Sequence, residues 1–362
     1  MRRRETGKRR YRVLPLSYAA IQGGIAVRTF TKAIVLMAVF TLAVSLIGSG
    51  GEAAKKVFIR IPTASMGGSF YPAGSVIASL INSKLGGEGV VASAQESGGS
   101  PENINMMSRG EAEGAVLLAS VVVDAYNGRG AFKGKPYKDL RMITVLWPNV
   151  VQMVVTEKSG IRTYRDLKGK RVSVGQLGSG TEPNTIAALD GAGMTYKDIA
   201  PEFLGFAQSA DAIKDGRIVA AQLSGGIPHP SVLDLFASRV GVRLLSLTDD
   251  EIKRANELHP EFTEFTIPTG TYPGQDYAVK TIATTTALGI RKDIPEELVY
   301  KITKTIFENL DYIHKSYFAL EYMSLEHAIP GLVAPLHPGA VRYFKERGVK
   351  VPDKLIPPEY KD

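Results

Sequence analysis

Apolar and polar positions along this chain fall into two alternating rhythms. Short, mostly apolar runs read as strands at residues 57–61, 90–94, 115–119, 142–146, 150–156, 171–174, 220–223, 242–245 and 285–290. Stretches with helical spacing lie between them, for example at 210–214 and 231–237, and two more follow at 296–309 and 340–346. Strand and helix in alternation predict an α/β protein with parallel sheets. The division predicted is discontinuous: residues 55–148 with 283–362 in one lobe and 149–282 in another. The chain would cross between them near Trp147-Pro148-Asn149 and Lys280-Thr281-Ile282-Ala283-Thr284. Two connections make a hinge, and a hinge over a cleft suits ligand capture. A single large α/β enzyme domain is the competing reading.

Two loops rich in glycine and hydroxyl groups punctuate this pattern, Gly67-Gly68-Ser69-Phe70-Tyr71-Pro72 and Gly178-Ser179-Gly180-Thr181. Each follows a strand-like run and precedes a helical one. Val76, Ile77, Leu80 and Ile81 share a face after the first, as do Ile186 and Leu189 after the second. A helix start presents unpaired N–H groups and a positive dipole end, which together hold anions. Two such loops predict half-sites facing one another across the cleft; ordinary N-caps are the plainer alternative.

Charge changes the picture less than its total suggests. The formal net charge is +8, yet residues 1–54 carry nine basic groups against Glu5 and Glu52, which leaves 35 basic and 34 acidic residues beyond them. The body is nearly neutral, so no nucleic-acid surface is expected. The basic groups precede an uncharged apolar run at 33–47, and Gly48-Ser49-Gly50-Gly51-Glu52-Ala53-Ala54 follows it. That order reads as a secretory leader over residues 1–54, with cleavage expected near Ala53. An uncleaved N-terminal anchor competes with it. So does an upstream start, because the stretch before residue 24 is longer than an n-region needs. Export places the protein outside the cytoplasm, in the periplasm or on the outer face of the membrane. No cysteine occurs, which excludes disulfides, thiolate metal sites and a cysteine nucleophile.

Longer phrases make the chain specific. Gly67-Gly68-Ser69-Phe70-Tyr71-Pro72-Ala73-Gly74, Glu96-Ser97-Gly98-Gly99-Ser100-Pro101-Glu102-Asn103 and Asp124-Ala125-Tyr126-Asn127-Gly128 come first. Then come the run from Asp166 to Gly175, Gly178-Ser179-Gly180-Thr181, Gly226-Ile227-Pro228-His229-Pro230, the run from Gly270 to Asp276, and Leu336-His337-Pro338-Gly339-Ala340. In number and order these resemble the TAXI family of solute receptors, the extracytoplasmic components of one branch of TRAP transporters. The resemblance implies a type II periplasmic-binding-protein fold, two α/β lobes that close on a small solute. It implies a monomer that delivers a small carboxylate or amino acid, such as glutamate, glutamine or 2-oxoglutarate, to an integral membrane TRAP permease driven by an ion gradient. It implies no enzyme activity and no cofactor. One departure stands out: where members often carry Gln or Asp after the third strand, Leu117 to Val123 leaves Ser120 as the sole polar side chain.

No arginine sits within either glycine loop, so a carboxylate is expected to be held by N–H groups and hydroxyls. Ser179, Gly180 and Thr181 are the leading contacts, with Gly68, Ser69 and Tyr71 opposite. Ser97 and Gly98 supply a third loop and Ser120 a fourth. Trp147 is expected either to stack on ligand or to pack the hinge, and Asn184 and Gly226 complete the set. The five histidines show no metal-ligand spacing, and no GxSxG, GxxxxGK[ST] or complete dinucleotide fingerprint occurs. Two alternatives remain: a sensory binding protein that signals to a membrane receptor kinase, and an exported hydrolase with Ser179 as nucleophile.

Overall fold

The computed structural model describes residues 56–361, so the expected leader lies outside the described residues. β1 (Val57–Pro62), α1 (Phe70–Leu85), β2 (Val90–Gln95), α2 (Ser100–Ser108), β3 (Gly114–Leu118) and α3 (Ala119–Asn127) come first. β4 (Leu140–Val150), β5 (Met153–Thr156), β6 (Arg171–Ser173), α4 (Thr181–Gly191), β7 (Ala200–Glu202) and α5 (Phe206–Lys214) follow. Next are β8 (Ala220–Gln222), α6 (Pro230–Ala237), β9 (Val242–Leu244), α7 (Asp249–Leu258) and β10 (Thr263–Ile267). The order ends with β11 (Val279–Arg291), α8 (Glu296–Phe307), α9 (Leu310–Ser316) and α10 (Pro338–Glu346).

The class is α/β, but the sheets are mixed rather than parallel. β1 pairs with β2 in parallel. β11, thirteen residues long, runs antiparallel to β3, β4 and β10. A five-stranded sheet has the order β7-β6-β8-β5-β9. In it β6 is parallel to both neighbours and β5 antiparallel to both. β10 and β11 pair antiparallel with no helix between them, whereas β4 and β11, also antiparallel, are far apart in sequence.

Apolar side chains collect in three cores. The largest draws on Ile59 to Trp147 and again on Ala287 to Leu355. The other two lie on opposite faces of the five-stranded sheet, as the period of two demands. Met153, Val155 and Ala220 face one, and Val154 and Ala221 the other. On α1, Ile77, Leu80 and Ile81 are buried as their spacing predicts, each contributing about 1.5–3 kcal/mol. On α4 the expected face holds for Leu189 and fails for Ile186. Ile186 is 37% exposed, and the buried face is Asn184, Thr185, Ala187, Ala188 and Leu189. A second correction concerns residues 119–127, a helix that starts directly from β3, so Ser120 sits in a first helical turn. β4 and β11 lie paired side by side and pass from the largest core into the other two.

Candidate ligand-binding site

Five strand-to-helix turns end at one place. Phe70 at the start of α1, Gly99 and Ser100 before and in α2, and Leu118 before α3 line a cavity. Gly180 and Thr181 at the start of α4, with Gly205 and Phe206 at the start of α5, complete its ring of helix N-termini. Asn149, on β4, and Ser224, after β8, form another wall. The cavity lies beyond the carboxyl ends of β1, β2, β6 and β7, where open α/β sheets take ligands. No Lys, Arg, His, Asp or Glu is among the lining residues. Each helix start carries roughly half a positive charge, offset at α2 and α4 by Glu102 and Glu182 in their first turns, so the positive ends left uncompensated are those of α1, α3 and α5. The cavity is also small, about 30 Å³, room for one or two waters.

The expected half-sites meet differently from the way the sequence suggested. The Gly178–Thr181 loop faces the start of α2: a Cβ placed on Gly99 would lie 3.6 Å from the Gly180 nitrogen, and one on Gly180 only 2.5 Å from Cδ1 of Leu118. The Gly67–Phe70 loop instead meets Phe206, Ser231 and Gly225. A Cβ on Gly68 would lie 2.6 Å from the Phe206 ring, and Ser231 Oγ donates to the Gly67 carbonyl at 2.8 Å. Both loops border one cavity, each docked on a third element.

Gly98, Ser179, Gly180 and Thr181 line the cavity. Several of the loop donors are already engaged. Gly98 N–H donates to Glu102 Oε2 at 2.6 Å and Gly178 N–H to Glu182 Oε2 at 3.0 Å. Thr181 N–H donates to Ser179 Oγ at 3.3 Å. Ser97 is a brace outside the lining, accepting from Gly99 N–H and donating to Asn103 Oδ1. Asn103, fully buried, donates to the Thr63 and Val116 carbonyls and ties α2 to β1 and β3. Asn184 stands one layer back, donating to Asn149 Oδ1 at 3.0 Å. Ser69 and Gly226 contact each other, Oγ to carbonyl at 3.5 Å, beside the cavity.

Eight expected contacts are absent from the lining: Gly68, Ser69, Ser97, Asn184 and Gly226, placed above, and Tyr71, Ser120 and Trp147. Tyr71 is half-buried one residue past Phe70. Ser120 is buried with its hydroxyl unpartnered. Trp147, 1% exposed, packs edge-to-face on Phe70 at 5.8 Å and borders a separate groove with Pro148 and Ile227. Of the hinge and stacking roles weighed for it, its contacts are those of packing. Lining residues the sequence did not single out include Ser100, Leu118, Asn149, Phe206 and Ser224. Gly205-Phe206 carried a usable signal, since a strand-like segment, a glycine and a helical run stand there in order. Nearby, His229 is fully buried, both ring nitrogens lack partners, and desolvation lowers its pKa to about 3.

Residues 61–348 match the NMT1-like family. The chain belongs to that family. The match spans every lining residue of the cavity, from Ala64 to Ser224. Among solved structures, a protein of Bordetella bronchiseptica RB50 is similar at 17% identity, covering 84% of this chain and 91% of that one, with a TM-score of 0.50. The alkanesulfonate-binding protein SsuA from Xanthomonas axonopodis pv. citri bound to MOPS is 17% identical over 82% of this chain and 92% of its own, TM-score 0.46. The periplasmic aliphatic sulphonate binding protein SsuA from Escherichia coli is 18% identical over 84% and 94%, TM-score 0.45. The likeness is one of fold. This NMT1-like chain is an α/β protein with its cavity where the helix starts converge. Among the described residues, no helix is long and apolar enough to cross a membrane.

Proposed function

We propose that the chain is an extracytoplasmic solute receptor that captures a small organic anion and delivers it to an integral membrane permease. The observation that carries this reading is the convergence of five helix N-termini on a cavity lined by no charged side chain. An anion at a helix start gains about 0.3–1 kcal/mol from each end, up to ~2 when partly buried. Neighbours of this fold include sulfonate- and amino-acid-binding proteins, which supports a soluble capture role. Within that role, the phrases that resemble the TAXI receptors favour a TRAP-type permease and a carboxylate cargo over a sulfonate. The Ser179 hydrolase alternative lacks a base, since no His, Asp or Glu lines the cavity.

Capture requires motion. We read residues 55–148 with 283–362 as one lobe and 149–282 as the other, with the paired strands β4 and β11 as the hinge. A cavity of about 30 Å³ admits no organic acid until the lobes part. Calorimetry on the purified protein with carboxylates, sulfonates and their uncharged amides tests the reading. Anions should bind and the amides should not; tighter binding of the amides would sink it.

A further inference from the structure

We infer that the ligand of this site carries no ammonium group: it is a small organic anion whose second polar function is a neutral hydroxyl. The inference rests on the anion-receptor reading above and narrows it, against the amino-acid ligands that the fold's neighbours would suggest. A buried ammonium needs a negative charge to offset it, because an unpaired charge out of water is strongly unfavourable. This cavity opposes one twice over. The starts of α1, α3 and α5 present positive ends with no acidic residue in the first turn, and the lining holds no Asp or Glu.

The carboxylates that come near, Glu102 and Glu182, are committed to Gly98 N–H and Gly178 N–H on exposed turns. The wall that remains is neutral and fixed from behind. Fully buried Asn184 donates to Asn149 Oδ1, and fully buried Gln222 donates to Ser224 Oγ, both at 3.0 Å. Asn184 Oδ1 and Gln222 Oε1 are themselves unpartnered, so this layer still has hydrogen-bonding capacity to spend. Both free atoms are amide oxygens, which accept, so they suit a ligand hydroxyl, which donates. They cannot neutralise a cation. A site built to hydrogen-bond a neutral group rejects an analogue that leaves its buried partners unmatched.

The test uses pairs that share a skeleton and differ at one group: lactate and alanine, 2-hydroxyglutarate and glutamate, isethionate and taurine. Calorimetry on the purified protein should find the hydroxyl member at least tenfold tighter in every pair where either binds. An ammonium member that binds as well or better overturns this inference and leaves the anion reading standing. Silence of all six, with the uncharged amides binding, overturns both. Asn149→Asp supplies a second arm: it keeps the oxygen that accepts from Asn184 and adds the missing charge. Its preference should move at least tenfold toward the ammonium members. An unchanged preference would remove Asn149 from the wall that selects.

Discussion

At Gly180 the backbone is ordinary, φ −70° and ψ −13°, so an alanine there is free of strain and its methyl group is the whole perturbation. That methyl would fall 2.5 Å from Leu118 Cδ1, a side chain packed at 3% exposure. Overpacking of this kind costs about 1–3 kcal/mol, so Gly180→Ala should weaken anion binding roughly 5- to 150-fold. The fold should survive, because the clash arises where two halves meet; calorimetry beside a urea melt separates the two effects. Thr181→Val keeps shape and deletes a hydroxyl. If that hydroxyl bonds a bound anion, worth about 1.5–3 kcal/mol, binding should fall roughly 10- to 150-fold. Binding within about twofold of the parent, ~0.4 kcal/mol, would make Thr181 part of a helix start and nothing more. His229 bears on stability instead. Its ordinary pKa of 6.5 drops to about 3 on burial, so below pH 6.5 the unfolded chain takes a proton that the folded chain refuses. Stability is therefore full above pH 6.5 and falls by ~1.4 kcal/mol per unit toward pH 3. Between pH 7 and pH 5 the parent should lose ~2 kcal/mol more than His229→Leu in urea unfolding. Equal losses would mean that the imidazole is not sealed from water.

Among the elements, α2 holds the site together through one side chain. Asn103 bonds Thr63, Val116 and Ser97 at 2.7, 2.9 and 2.6 Å with no exposure. Asn103→Ala leaves those groups buried and unmatched, and at about 1–3 kcal/mol each the loss should reach roughly 3 kcal/mol in urea melts. A loss below ~1 kcal/mol would show that the turns hold their shape without it. Strands such as β1 and β6, and the turns after them, were legible because glycine and hydroxyl residues interrupt an apolar rhythm. α3 was not, since the β-branched Val121, Val122 and Val123 give a helix little local signal, and packing against β3 and β11 decides for it. Ile186 misled for the opposite reason: the buried face of α4 is made of small and polar residues, which a hydrophobic pattern cannot mark. The site was legible where a residue sits in its own turn, as with Gly98 and Ser179. Asn149, Leu118 and Ser224 join it through topology, from strand ends distant in sequence, and no local signal announces them.

For the whole molecule, the question is whether the two sides of the cavity separate. β4 and β11 cross between the cores as a hydrogen-bonded pair, and the pairing is irregular near the crossing, between Thr286 and Ala287. Pro148, which donates no hydrogen bond, stands opposite Thr285 in the same stretch. Irregular register and a missing donor concentrate bending there. Against opening stand few polar contacts, Ser231 Oγ to the Gly67 carbonyl and Ser69 Oγ to the Gly226 carbonyl, with Phe206 and Leu118 beside them. Such bonds contribute about 0.5–1.5 kcal/mol each, small enough for the ligand's differential affinity to set the balance. Anion binding should therefore shrink the radius of gyration in solution scattering. Ser231→Ala should leave the ligand-free protein more open, and because closure then costs more it should also bind more weakly, by roughly 2- to 10-fold. A scattering curve unchanged at saturation, with Ser231→Ala binding like the parent, would mean a rigid pocket, and the anion would have to enter by side-chain movement alone.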